Sequence, residues 1–243
     1  MENDETVQKK NDFSNLRPRP LIAGLPARIE VYEEDVVRFF NLKTGLYYYH
    51  AIDQVVDFVI GTGRKNIVDL LTDTAVFALR LAGHKDFHGS VYSVDSNVTL
   101  LERAKQRAAQ LNLLKGIEFK QVMQETRIPL SDCCVEGAVS IFDLHRYPMR
   151  QYLAEIMRLL EPGGIFVAAV LTEPKAAAPI RLWRWARLKY IHKNPTEADT
   201  VYPDREDLIK ALFGAGFRQV IIQEKNSPTV KHPGVFNLIA ATK

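Results

Sequence analysis

A chain of 243 residues, 47% of them hydrophobic, suffices for one α/β domain with a full core and a short extension. A formal charge of +3 is too small to imply nucleic-acid binding, and two neighbouring cysteines, Cys133 and Cys134, argue for a reducing, cytoplasmic setting without structural disulfides. No apolar run approaches a membrane span, and the polar stretch Met1 to Asn15 has no hydrophobic leader core.

Residues 1–20 are polar and end in Arg17-Pro18-Arg19-Pro20, which predicts a mobile tail. Residues 21–65 carry two predicted helices. The first spans Ile29 to Phe40, with Val31, Val36, Val37 and Phe40 apolar. The second spans Leu46 to Ile60, with Ala51, Ile52, Val55, Val56 and Val59 inward, and Gly61-Thr62-Gly63 stops it. From 66 to 243 strands and helices alternate. The unit that organises them is Ile67 to Ala82: a short buried strand (66–71), a tight turn, and a helix (75–83).

Val91 to Val94 is the second strand, ending on Asp95, and Val98 to Leu111 is an amphipathic helix. Ile117 to Gln121 and Val135 to Phe142 are the third and fourth strands, the latter followed by the polar loop Asp143-Leu144-His145-Arg146. Tyr152 to Leu160 is a helix that stops at the turn signal Glu161-Pro162-Gly163-Gly164, and Ile165 to Leu171 is the fifth strand. Past a basic aromatic insert at 172–203, Arg205 to Gly214 is helical, and Phe217 to Gln223 and Phe236 to Ala241 are the last strands. Alternation over five units predicts a doubly wound, mostly parallel sheet, in which ligands settle at the carboxyl ends of the strands. The last two strands leave no room for a helix between them and pair antiparallel.

In order and spacing these residues resemble the class I S-adenosylmethionine-dependent methyltransferases, in particular the quinone-biosynthesis group. The likeness runs from about residue 46 to 243. It is carried by Ile67-Val68-Asp69-Leu70, Tyr92-Ser93-Val94-Asp95, Pro129-Leu130-Ser131-Asp132, Leu144-His145 and Arg158-Leu159-Leu160-Glu161-Pro162-Gly163-Gly164. The resemblance implies a seven-stranded sheet of order 3-2-1-4-5-7-6 and S-adenosylmethionine as cofactor. It also implies a small, apolar or aromatic methyl acceptor.

One departure stands out. The family's first turn reads Asp-x-Gly-x-Gly-x-Gly, and here Asp69 is followed by Leu71, Asp73 and Ala75 at the glycine positions. Glycine there tolerates positive φ and lets the ligand touch the backbone, so these side chains are expected to crowd the cofactor. Restoring glycine at all three is expected to cost about 0.5–1 kcal/mol of stability per site.

The resemblance assigns cofactor contact to Asp69, Leu71, Asp73, Ala75 and Asp95, with Gln124 and Glu125 in the loop nearest the adenine. Asp95 either accepts hydrogen bonds from the ribose or caps the helix at Val98, and Ser96 and Asn97 are rival caps. Asp69 reads chiefly as a structural acceptor for turn amides. Asp143 and His145, past the fourth strand, are the candidate catalytic groups, with His145 as a general base or a merely solvated side chain. His84 and His88 are spaced like a metal pair but lack a third ligand nearby, so no metal is expected.

Within the insert, Arg181, Arg184 and Arg187 fall on one stripe of a helix whose other arc carries Trp183, Trp185 and Tyr190. Such a face suits a membrane surface or an acidic partner, or is an ordinary surface helix. The glycine-free turn also leaves open a protein that has lost its cofactor and serves as a binding or scaffolding subunit. A nicotinamide-dependent enzyme is disfavoured, since no Gly-x-Gly-x-x-Gly follows a strand.

Overall fold

The computed structural model describes residues 37, 41, 47–123, 127–144, 148–171, 205–228 and 233–243. The tail, most of the first predicted helix and the insert therefore lie outside the described residues. Helix α1 (Tyr48–Gly61) leads into β1 (Asn66–Leu70), α2 (Val76–Ala82), β2 (Ser90–Asp95), α3 (Val98–Gln110) and β3 (Ile117–Gln121). The chain continues as β4 (Val135–Ile141), α4 (Met149–Leu159), β5 (Leu160–Leu171), α5 (Arg205–Ala215), β6 (Gln219–Pro228) and β7 (Pro233–Thr242).

The seven strands form one sheet of order β3-β2-β1-β4-β5-β7-β6, with β1 central as the sequence predicts. Strands β1 to β5 pair in parallel, and β7 runs antiparallel to both β5 and β6. Alternate residues of each strand feed opposite cores, which follows from the two-residue period of a strand. On one side Ile67, Val91, Val139 and Val167 pack with Ile52, Val55, Val56 and Val59 of α1 and with α2. On the other Val68, Leu70, Ala138 and Phe166 pack with Leu153, Ile156 and Leu159 of α4 and Leu212 of α5. The central strands are apolar on both faces, as a buried parallel sheet requires.

Several boundaries differ from the sequence reading, among them the start of α4, which lies at Met149 instead of Tyr152, and most of all those of β5 and the last hairpin. Glu161 to Gly164 does not separate α4 from β5. Leu160 already pairs with Val135, and the register then jumps so that Ile165 faces Gly137. The stretch bulges out of the strand with Gly163 at φ +76°, and a side chain at Gly164 would meet the Glu161 carbonyl at 2.9 Å. Turn and bulge draw on the same residues, so composition does not tell them apart. The hairpin strands β6 and β7 are also longer than their apolar cores suggest.

A polar clamp fixes the lower edge. Arg158 on α4 donates to both oxygens of Glu155 (2.6 and 2.8 Å), to Asp132 (2.6 Å) and to the carbonyls of Leu130 (2.8 Å) and Ile128 (3.0 Å). Glu155 in turn accepts the Ile128 amide at 2.6 Å. Burial works to raise the Glu155 carboxyl, but the Arg158 hydrogen bonds and the Ile128 amide outweigh it and hold the group below its usual value. The Pro129-Leu130-Ser131-Asp132 motif is thereby tied to the helix that follows β4.

Candidate functional site

The order of the sheet places its switch point between β1 and β4, where the chain winds off in opposite directions. Open α/β sheets bind ligands outside such a point. A pocket of about 40 Å³ lies there, within about 350 Å³ of empty space counting its open mouth. Its walls include Asp69, Leu71, Thr72 and Asp73 from the first turn, Ile141 and Asp143 from the end of β4, and Tyr48 from α1.

The turn itself holds the main structural finding. Leu71, Asp73 and Ala75 stand at φ 56°, 51° and 58°, all in the left-handed region. These are the three positions at which the resembled motif has glycine. The backbone therefore follows a glycine path without glycine, at about 1–2 kcal/mol per residue of strain, less for aspartate, which tolerates this region better. This corrects the expectation that glycine at these sites would weaken the fold, since that expectation assumes ordinary backbone angles.

Bonds from the rest of the sheet compel the path. The Thr72 amide donates to the Val94 carbonyl at 3.0 Å, and the Ala75 amide to the Thr72 carbonyl at 2.7 Å. The Asp73 amide donates to Asp95 Oδ2 at 2.8 Å, while Asp95 Oδ1 accepts the Asn97 amide at 2.8 Å. Asp95 is thus a strut between the turn and the start of α3. It is not the helix cap: Asn97 is, accepting from the amides of Thr99 (3.0 Å) and Leu100 (3.3 Å).

Asp69 sits beneath the turn, 3% exposed. It accepts the Thr72 hydroxyl, which itself accepts the Ser93 hydroxyl at 2.7 Å. Burial pushes the Asp69 carboxyl up to about 7; the charges of Asp95 and Asp143 add to this, while the Thr72 hydroxyl and the Ala78 amide oppose it. The sequence reading named turn amides as the partners of Asp69, whereas these bonds come from the Thr72 hydroxyl and from the Ala78 amide of α2. Thr72 and Ser93 escaped the sequence reading, although a threonine in the turn after β1 and a serine within β2 were the available signal. Tyr48 escaped it too, because only the fold brings the first turn of α1 over the ends of β1 and β4.

The structure brings Asp69, Leu71, Asp73, Ala75 and Asp95 together around one turn, with Asp143 across the pocket. Gln124, Glu125 and His145 lie outside the described residues, as do Arg181, Arg184 and Arg187. Among the described residues no group of three His, Cys, Asp or Glu side chains is placed to hold a metal ion, and no helix is long and apolar enough to cross a membrane.

An open sheet of this order, with its crevice at the β1–β4 switch point, is a doubly wound, Rossmann-like α/β fold. Comparison with known proteins narrows this. A family profile described as a methyltransferase domain matches residues 67–164. The chain is 28% identical to a ubiquinone/menaquinone biosynthesis C-methyltransferase of Acidiphilium cryptum, over 64% of this chain and 67% of that protein. It is 24% identical to a demethylmenaquinone methyltransferase of Staphylococcus epidermidis, over 64% and 69%. Among solved structures it resembles a possible histamine N-methyltransferase from Thermotoga maritima, with TM-score 0.61 and 18% identity over 88% of this chain and 95% of that one. It also resembles the magnesium protoporphyrin IX methyltransferase of Synechocystis with bound SAH, with TM-score 0.61 and 14% identity over 82% and 85%. The cyclase SpnF has the same fold, with TM-score 0.60 and 18% identity over 79% and 81%. At these identities the structural likenesses establish the fold.

These likenesses support a class I S-adenosylmethionine-dependent methyltransferase family for the chain.

Proposed function

We propose that this protein is an S-adenosylmethionine-dependent methyltransferase acting on a small apolar or aromatic acceptor, with its cofactor seated over the turn from Leu71 to Ala75. The observation that carries this reading is the left-handed backbone at all three former glycine positions. Bonds to β2 hold this path, the one on which a ligand can lie, even with side chains at all three positions. Here the strain is kept.

The donors and acceptors around the turn suit the cofactor. A carboxylate offers about four lone-pair sites, and Asp95 uses one on the Asp73 amide and one on the Asn97 amide, leaving capacity for ribose hydroxyls. On space they crowd the group: the enclosed pocket of about 40 Å³ lies far below the roughly 300–1,000 Å³ of a usual ligand site.

When bound, the cofactor supplies a methyl group on a cationic sulfur. The chain's part is to hold and orient. Asp95 would take the ribose, Asp69 and Thr72 keep the turn in register, and Gln124 and Glu125 would flank the adenine. Tyr48 and Ile52 present an apolar wall to an acceptor. Asp143 lines the same pocket and, with His145, would accept an acceptor's proton. The aromatic insert would cover the acceptor, and Arg181, Arg184 and Arg187 would meet an anionic membrane or an acidic partner.

A second reading, a scaffold that has lost its cofactor, is favoured by one observation: Leu71 and Asp73 line the pocket at positions where the family has glycine. Calorimetric titration with S-adenosylmethionine and with its demethylated product separates the two. Weak but saturable binding of both is expected; no heat with either would leave the scaffold. Asp95→Ala should weaken the binding by about 1.5–3 kcal/mol, the range for hydrogen bonds to a charged group. An unchanged affinity would make Asp95 a strut alone. Replacing the three arginines together should reduce sedimentation with anionic liposomes, by about 1 kcal/mol per charge, and absence of binding by the parent would exclude the membrane surface.

A further inference from the structure

We propose that a second copy of this chain docks on the open edge of β6, joining two sheets across a twofold axis at Ile221. β6 ends the sheet and pairs with β7 on one side only, over ten residues in unbroken register. Such an edge offers a row of amides and carbonyls to another strand, and proteins blunt it with bulges, prolines or short strands. Here the register has no bulge, and the proline of β6 is its last residue, Pro228.

The phase of the ladder fixes which backbone groups point outward. The Lys243 amide donates to the Gly164 carbonyl, one step beyond the pair Ile165 and Thr242, so Lys243 turns its backbone toward β5. Hydrogen-bonded and open pairs alternate along an antiparallel ladder. Thr242 and Ala240 therefore turn toward β6, and the Arg218 amide indeed donates to the Thr242 carbonyl at 2.9 Å. Their partners Gln219 and Ile221 face β7 in return. Val220 and Ile222, in between, turn their amides and carbonyls to the open edge.

The side chains favour the same register. About Ile221, the stretch Arg218-Gln219-Val220-Ile221-Ile222-Gln223-Glu224 is complementary to itself. In an antiparallel pair of copies Ile221 meets itself, Val220 meets Ile222, Gln219 meets Gln223, and Arg218 meets Glu224. Ile221 is 55% exposed. Arg218 and Glu224 are exposed, and neither is in an ion pair among the described residues. On the face of Val220 and Ile222, α5 packs on β6 and leaves Phe213 51% exposed. A twofold contact uses the same patch on both copies, so it closes at a dimer. β5 and β7 separate β6 from β4, so the crevice stays clear of the contact.

The test is light scattering on the whole chain, where a dimer is expected at about 100 µM. Arg218→Glu and Glu224→Arg each set like charges opposite one another at two symmetric places, and each should weaken association at least about tenfold. The double variant restores both pairs and should recover the dimer. Ile221→Cys should cross-link to its own copy on mild oxidation, because open pairs lie about 4.5 Å apart between Cα atoms, within disulfide reach. Gln219→Cys, which would face Gln223, should not link, and neither should the parent with its own two cysteines. A parent that stays monomeric at that concentration would overturn the second copy as the occupant of this edge. A dimer indifferent to both charge reversals and unlinked at position 221 would use another face, and would overturn the proposal as well. The mass of the parent is decisive even where a variant fails to fold.

Discussion

The left-handed turn makes a prediction whose sign is the reverse of the usual one. At an ordinary position glycine is about 0.5–1 kcal/mol less stable than alanine, because it has more freedom to lose on folding. At φ 56° an alanine at position 71 would carry about 1–2 kcal/mol of strain from its Cβ. Comparing Leu71→Gly with Leu71→Ala removes the leucine side chain from both sides of the ledger. That matters because Leu71 is partly buried against the core formed with α4. The difference leaves glycine ahead by about 0.5–1 kcal/mol, or about 1–4 °C in Tm for a chain of this size. Urea denaturation of the two variants at equal slope measures it directly. Alanine ahead by the usual margin would mean that the backbone at Leu71 is not left-handed. The seat for the cofactor over this turn would be lost with it.

Asp69 should give the fold an unusual pH profile. Its folded pKa of about 7 exceeds the roughly 3.9 of an unfolded aspartate, so the folded state binds more protons between those values. Stability should therefore fall as pH rises from about 4 to about 7, and Asp69→Asn should flatten that slope by up to a few kcal/mol; an unchanged slope on thermal melts would remove Asp69 as its source. Glu155 carries the opposite sign. Its depressed pKa stabilises the fold above the unfolded value of about 4.3 and is lost as pH falls through the folded one. Arg158→Met leaves Glu155 buried without its cation and should cost about 3–5 kcal/mol, and a loss under 1 kcal/mol in urea denaturation would show the clamp to be dispensable.

Much of this fold is legible in the sequence because each element keeps one period. Ile117–Gln121 is found at its predicted ends, and α3 ends within one residue of its predicted boundary. The absence of a helix between the last two strands dictates the antiparallel hairpin. The bulge in β5 was hidden because Pro162-Gly163-Gly164 reads as a turn wherever it occurs. The candidate site was legible as a set of positions and not as a set of bonds. Nothing in Asp95 announces that one oxygen reaches an amide 22 residues back; that contact exists only once β1 and β2 lie side by side. Likewise the left-handed angles at Leu71, Asp73 and Ala75 contradict their own propensities. Tertiary bonds set them, and local reading of those residue types argues the other way.

The glycine-free turn has a consequence for how such a sequence can change over time. Three residues held in left-handed backbone draw about 3–5 kcal/mol between them, against a total stability of about 5–15 kcal/mol for a typical domain. Such changes are tolerable only in a background with stability to spare, so each one restricts which others can follow. Substitutions elsewhere that would be neutral in a glycine-bearing relative should be deleterious here. Conversely, any change that loosens Asp95 or Thr72 should make the three left-handed residues the first part of the chain to demand reversion to glycine.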